Sequence, residues 1–310
     1  MRAVPLAERA DGLATLRQIE TRGYLAYAYQ AKVNEATWLR IAVGAFASRG
    51  EAAAFGRVFA AAEGMDFFVT RAPIRVLPGA GELDFVVTPS ALWVRGGDGA
   101  RKVFTFATEA PNDGRLPAAI LPELSPDSDA IAFVYDDRLY TATVDGDAAL
   151  ALTEPGAPWV AADTDYEWRP GWSPSGRYVA FLDQAFWEYP IELWVARADG
   201  GELRCLACNR DGQSRVRWFV WHPGEDRVLF VEGFAMGTVA VGGGLYSAEM
   251  DGTVRTVIAV ERGGKREDYE EIAGPLRIED GFLHFRRVRW LDDNFEQISI
   301  TDDRLPIGRL

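Results

Sequence analysis

Histidine and cysteine are nearly missing from this chain of 310 residues, which has two of each. A Ser-His-Asp triad would have to draw on His222 or His284. A structural zinc site needs about four ligands, and both histidines stand alone. The G-x-S-x-G turn that marks a hydrolase nucleophile is also missing, since GWSPSG at 171–176 has the wrong spacing. Apolar runs such as LRIAVGAFA at 39–47 fall far short of the roughly 18 residues that a membrane-spanning helix needs. The opening MRAVPLAERA carries no long apolar stretch of the signal-peptide kind. These absences predict no catalytic residue, no metal, no cofactor and no membrane span.

Positive charge is short as well, but unevenly. The net charge of −13 divides into +2 over residues 1–72 and −15 over the remainder. An acidic second region repels phosphate backbones, which excludes nucleic acid as a partner. The two cysteines form CLAC, Cys205 and Cys208, followed by Asn209, so this is not a haem-attachment motif. A redox CxxC sits at a helix start, whereas this one ends a strand repeat. The expectation is a pair of turn residues without metal, disulfide-bonded if the protein is exported.

What is abundant is apolar and aromatic. Hydrophobic residues make up 48% and charged residues 25%, with ten Trp and 17 Phe, a β-rich globular composition. A length of 310 residues accommodates two domains. One phrase recurs: LPELSPDSDAIAFVYD around Pro126, RPGWSPSGRYVAFLDQ around Pro174 and FVWHPGEDRVLFVEG around Pro223, with looser copies around Pro89 and Ile278. The intervals between these positions are 37, 48, 49 and 55 residues. After each turn comes a strand (ALWV, AIAFVY, YVAFL, RVLFV, FLHFRR), then a third strand closing on Asp-Gly in ELWVARADGG and GLYSAEMDGT. A sheet of this size cannot bury both faces alone, and radial stacking covers them. The sequence therefore predicts an all-β propeller of about five blades over 73–310, six if 233–244 hides strands. Ile74–Leu77 is expected to complete the last blade, removing an exposed edge.

The copy with Trp172-Ser173-Pro174-Ser175-Gly176-Arg177, Glu192-Leu193-Trp194-Val195 and Asp199-Gly200-Gly201 resembles the TolB-type, WD-like propeller repeat. That resemblance implies architecture rather than activity. Ser-Pro is then a blade turn, with His222 in the slot of Ser173 and His284 in mid-strand.

Residues 1–72 read differently. RAVPL is a candidate strand, and Leu13, Leu16 and Ile19 sit at helical spacing ahead of Gly23. YLAYAYQ and WLRIAVGAF alternate as strands, Ser48 and Glu51 form a capping box for a second helix ending at Gly64, and MDFFVT is a last strand. The order βαββαβ predicts an α+β, ferredoxin-like domain with both helices on one face. Arg40-Ile41-Ala42-Val43-Gly44-Ala45-Phe46-Ala47-Ser48, with Trp38 and Arg22-Gly23-Tyr24-Leu25-Ala26-Tyr27, resembles the sporulation-related (SPOR) repeat, although Ala45 stands where that repeat has Pro. The resemblance implies binding to peptidoglycan glycan strands. Its contact candidates here are Trp38, Tyr27, Tyr29 and Arg40 on the sheet face that lacks helices.

In the propeller, Trp159, Tyr166, Trp168, Trp187 and Tyr189 gather near the third copy as candidates for a docking face for a protein or small ligand, or as inter-blade packing. Asp163, Asp165 and Glu167, and the acids in DDNFE at 292–296, read as solvated loops. The expectation is thus a non-enzymatic protein of the cell envelope or periplasm, its targeting segment lying outside this chain. The alternatives are a hydrolase or lyase acting on a saccharide in the propeller channel, and an N-terminal domain that serves only as a cap on the propeller.

Overall fold

The computed structural model describes residues 2–79, 81–106, 116–117, 120–146, 148–156, 158, 160, 169–183, 190–208, 214–234, 242–260, 269–291 and 298–310. By contact density the chain forms two compact units. The first is Met1–Ile120 with Ser128–Ile131 and Ala142–Ala149; the second is Leu121–Asp127, Ala132–Thr141 and Leu150–Leu310.

The first unit begins with β1 (Arg2–Pro5), α1 (Arg9–Thr21), β2 (Ala26–Val33), β3 (Ala36–Val43) and α2 (Arg49–Glu63). The three strands form an antiparallel sheet in the order β1-β3-β2. The Ser48 hydroxyl accepts a hydrogen bond from the Glu51 amide, satisfying one orphan donor of α2, while the Glu51 carboxylate reaches back to the Ala47 amide just ahead of the cap. At the far end Gly64 takes a left-handed conformation and closes the helix. Leu16 and Ile19 of α1 and Phe59 of α2 bury against Ala26, Ala28, Leu39 and Ile41, so both helices cover one face of the sheet.

The predicted fourth strand does not form. Residues 64–72 make no sheet pairing, and the sheet has three strands rather than the four of a ferredoxin-like domain. The cause lies on α2: the Phe67 ring occupies the space where a Cβ on Gly56 would be, seating the segment on the helix instead of on a sheet edge.

The opposite face of the small sheet is covered too. Leu25, Tyr27, Tyr29, Ala42 and Ala45 share one core with Val86, Ala91 and Trp93 of the next sheet. Polar links reinforce the contact. Arg95 donates to the Ala45 carbonyl at 2.7 Å and pairs with Asp84, and Lys102 reaches Glu20 at 2.9 Å. The N-terminal module and the first propeller-type sheet are therefore one packed body, joined across the composition change at residue 72.

From residue 75 onward, five antiparallel meanders follow one another among the described residues. They are β4 (Arg75–Pro78), β5 (Asp84–Val87), β6 (Ala91–Gly96) and β7 (Gly99–Thr105); β8 (Glu123–Leu124), β9 (Ala130–Tyr135), β10 (Arg138–Thr143) and β11 (Ala149–Ala151); β12 (Gly171–Trp172), β13 (Tyr178–Asp183), β14 (Glu192–Arg197) and β15 (Leu203–Ala207); β16 (Ser214–Trp221), β17 (Arg227–Phe234), β18 (Gly244–Glu249) and β19 (Val254–Ile258); and β20 (Glu270–Glu279), β21 (Phe282–Trp290) and β22 (Ile298–Pro306). The first four have the four-stranded antiparallel order of a propeller blade, and the last has three strands among the described residues. Residues 74–77 do not complete the last of them. Instead β4 pairs with β5, from Arg75 opposite Val87 to Pro78 opposite Asp84. A hairpin through 79–83 closes a short loop, which costs less chain entropy than a pairing across two hundred residues or more.

In β9, β13 and β17 the middle of the second strand is buried on both faces, whereas β21 alternates between buried and more exposed positions. In β13, Val179 and Phe181 pack into the core of the preceding sheet while Ala180 and Leu182 pack into that of the next. In β17, Val228 and Phe230 face one way and Leu229 and Val231 the other. This explains the near-continuous apolar runs YVAFL and RVLFV, where a half-exposed strand would alternate.

Turns link neighbouring sheets. In the Ser173–Arg177 turn, the Ser175 hydroxyl donates to Asp226 of the next sheet's turn at 2.7 Å and Arg177 donates to the same carboxylate at 2.8 Å. Burial alone would raise the pKa of Asp226, but the bonds from Ser175, Arg177 and Ser173 hold it below the usual carboxylate value. A depressed folded-state pKa stabilises above the unfolded value and loses that contribution as pH falls through the folded one. Asp226→Asn is accordingly expected to lower stability at pH 6, with the gap from wild type narrowing below pH 3.8 in denaturant titrations. A gap independent of pH would contradict this role. Trp93→Ala is expected to cost about 3–5 kcal/mol and to destabilise the N-terminal module and the first sheet together. Separate transitions for the two would contradict the shared core.

Candidate functional site

Inside the second unit, the first strands of successive sheets converge on one pocket. Trp172 closes β12, and its indole N–H donates to the Glu123 carbonyl of β8 at 3.0 Å. One repeat later, the indole of Trp221 at the end of β16 donates to the Gly171 carbonyl at 2.8 Å. The tryptophan that precedes Ser-Pro or His-Pro in the repeat is thus a strut between adjacent sheets. Both struts also line the pocket, a cavity of about 300 Å³.

The remaining walls come from two irregular strands. In β16, Val216 faces Glu232 and Trp218 faces Val231, so Arg217 is the extra residue of a β-bulge. In β20, Gly274 to Leu276 stand opposite Phe285 alone, between the Ala273–Arg286 and Arg277–His284 pairs. The two irregularities meet: a Cβ on Gly274 would fall 2.4 Å from the Trp218 indole, so only glycine lets this backbone lie on the ring. The resulting surface combines Trp172, Trp218, Phe219 and Trp221 with Pro275, and carries Glu123 and Arg169, 3.8 Å apart, as its charged groups. Burial pushes the Glu123 carboxyl above its usual pKa, and the Arg169 guanidinium pulls it partway back. On β16, burial together with the neighbouring Arg215 lowers Arg217 to about 10, against the pull of buried Glu271. Flat aromatic faces beside one cation and one carboxylate suit a ligand with an apolar or aromatic group and a polar backbone.

Among the described residues lining this pocket there is no Ser, Cys or His, and Glu123 is the only carboxylate. Most glycoside hydrolases use a pair of carboxyl groups across the scissile bond, which the described lining does not supply. His222 accepts a hydrogen bond from the Gly224 amide inside its own turn, and burial and then Arg227 lower its pKa, consistent with a turn residue. His284 lies in mid-strand β21, between Arg277 and Arg304.

Tyr27 and Tyr29 are 1% and 4% exposed, packed under the first propeller-type sheet. Burial, and then Tyr29, pushes the Tyr27 phenol upward. The helix-free face expected to lie open for glycan is closed over both tyrosines, which removes them as surface contacts. Trp38 and Arg40 share that face, opposite Ala31 and Tyr29, and remain half-buried. Trp159, Tyr166, Trp168, Trp187 and Tyr189 lie outside the described residues, as do Asp163, Asp165, Glu167 and the DDNFE segment. Sequence reasoning missed the pocket itself. Its signal was WFVW at 218–221, an aromatic run denser than the corresponding RPGW at 169–172.

No family model matches the chain. Among curated proteins it is similar to a probable dipeptidyl-aminopeptidase B of Pyrenophora teres f. teres, 28% identical over 130 residues, which is 36% of this chain and 14% of that protein. The matched segment thus spans about one seventh of the relative's length. Among solved structures it is similar to the β-propeller domain of the trilobed protease from Pyrococcus furiosus, at 13% identity and a TM-score of 0.42, covering 75% of this chain and 84% of that one. It is also similar to an Agrobacterium tumefaciens protein assigned as TolB, at 20% identity and a TM-score of 0.37, covering 57% and 61%. The propeller-type architecture rests on the sheet topology itself, and the sequence similarity covers a segment of dipeptidyl-aminopeptidases.

Proposed function

We propose that the propeller is a non-enzymatic docking module that receives a peptide segment, with an aromatic or proline side chain, in the pocket between β8, β12, β16 and β20. One observation carries the reading: three tryptophans and a phenylalanine from two first strands meet Pro275 around a cavity with a single carboxylate–guanidinium pair. Aromatic-lined grooves take extended peptides with little loss of side-chain entropy, and the charged pair orients the peptide backbone. The partial similarity to a dipeptidyl-aminopeptidase supports a peptide over a saccharide. An oxidising envelope compartment fits the Cys205–Cys208 disulfide.

Titrating the full chain with short aromatic-bearing and aromatic-free peptides, read by tryptophan fluorescence, tests this. The aromatic-bearing peptides are expected to bind. Trp218→Ala is expected to weaken them at least tenfold, about 1.4 kcal/mol, with circular dichroism unchanged. Binding of oligosaccharides but not peptides, or indifference to Trp218→Ala, would overturn the reading.

Peptidoglycan binding by the N-terminal module remains a second reading, favoured by Trp38 and Arg40, which lie on the shared face and keep part of their surface accessible. Its test is sedimentation of the full chain with sacculi, since a cut at residue 72 would strip Trp93 from Tyr27 and create an artificial apolar surface. Trp38→Ala and Arg40→Ala are each expected to reduce the bound fraction severalfold. Equal sedimentation of wild type and both variants would leave this reading without support.

A further inference from the structure

In a regular strand, residues three apart point to opposite faces, so Cys205 and Cys208 would diverge. They do not. Between β14 and β15 the register shifts: Trp194 faces Cys205 and Leu193 faces Ala207, leaving Leu206 as an extra residue. Cys208 follows directly after the last paired residue, Ala207, and the Cα atoms of the two cysteines approach to 5.7 Å and their sulfurs bond. Glu192 and Trp194, two apart on β14, share one face of the sheet with both cysteines. The consequence is a cluster absent from any sequence motif: a Glu192 carboxylate oxygen and the two Sγ atoms lie within 4.8 Å of one another. The Trp194 indole donates to Glu192 Oε2 at 3.1 Å and fixes the carboxylate toward the sulfurs. Because β15 is the outer strand of its sheet, the cluster opens to solvent, with Cys208 exposed and Glu192 and Cys205 half-buried. The expectation that these cysteines bind no metal for want of further ligands assumed no third donor; Glu192 is that donor.

We propose that Cys205, Cys208 and Glu192 form a redox-gated site for a thiophilic divalent cation of the zinc type. The disulfide and the metal are alternative occupants of the same bulge. A dithiol reductant transfers two electrons and two protons to the Cys205–Cys208 bond and becomes a disulfide itself. The cation then binds both sulfurs as thiolates and one Glu192 oxygen, and the two thiol protons leave to solvent. Two soft sulfurs and one carboxylate suit zinc or cadmium over magnesium or calcium, and water supplies the fourth corner of a tetrahedron. The indole bond does for Glu192 what outer-shell partners do for metal-bound carboxylates elsewhere, holding one oxygen to one orientation.

The full chain, reduced with a phosphine and freed of excess reductant, is titrated with Cd²⁺ while the thiolate-to-cadmium charge-transfer absorption is followed, with Zn²⁺ as competitor. Saturation at one cation per chain is expected for the reduced protein and none for the oxidised one. Cys208→Ser is expected to abolish the charge-transfer signal at stoichiometric metal, and Glu192→Gln to lower affinity by about tenfold or more. Trp194→Phe keeps all three donors and removes only the indole bond, and it is expected to weaken binding severalfold, whereas a site of two thiolates alone would be unmoved. Absence of stoichiometric metal after reduction, or equal affinity in wild type, Glu192→Gln and Trp194→Phe, would overturn the proposal.

Discussion

The indole-to-carbonyl hydrogen bonds from Trp172 to Glu123 and from Trp221 to Gly171 set the spacing on which the second unit depends. A sheet buried on both faces has no outward preference of its own, since Val179 and Phe181 are as apolar as Ala180 and Leu182. Dispersion and burial hold such layers together without fixing how far one slides along the next. A directional bond from a rigid ring to a backbone carbonyl supplies that register. Because the ring sits at the end of the first strand, it also becomes a wall of the pocket. Architecture and candidate site therefore share the same two side chains.

The repeat was legible because its turn residues carry local chemistry. Pro126, Pro174 and Pro223 each stand between the first and second strands of a sheet, and the Asp-Gly hairpins close later strands as their composition suggests. The helices of the N-terminal module were legible for a similar reason, since Ser48, Glu51 and Gly64 are capping residues in place. What failed was non-local. The segment MDFFVT has strand composition, but a glycine on α2 opens a seat for Phe67 that no pattern within the segment reveals. Residues 74–77 look like a spare strand in search of an edge, and the nearest edge lies one hairpin away.

The site residues divide along the same line. Tyr27 and Tyr29 alternate on a sheet face without helices, and sequence alone leaves that face free to meet a ligand. Its actual cover, Val86, Ala91 and Trp93, comes from the sheet that follows in the chain. The module thus shares its core with the first propeller-type sheet. The pocket stayed hidden because two bulges in strands distant in sequence create it, and bulges leave little trace in composition. The grouping of Glu192 with the two cysteines has the same origin in a one-residue register shift.

The indole struts hold a preformed pocket at the first strands of the second unit. The most direct measurement is hydrogen exchange of the tryptophan side-chain N–H groups, followed by NMR with resonances assigned from single Trp→Phe variants. Slow exchange is expected at Trp172 and Trp221, with a shift of the Trp218 resonance on adding an aromatic-bearing peptide while Trp172 and Trp221 keep their protection. Rapid exchange at Trp172 and Trp221 in the folded protein would contradict it, because the bonds that set the sheet register would then not exist.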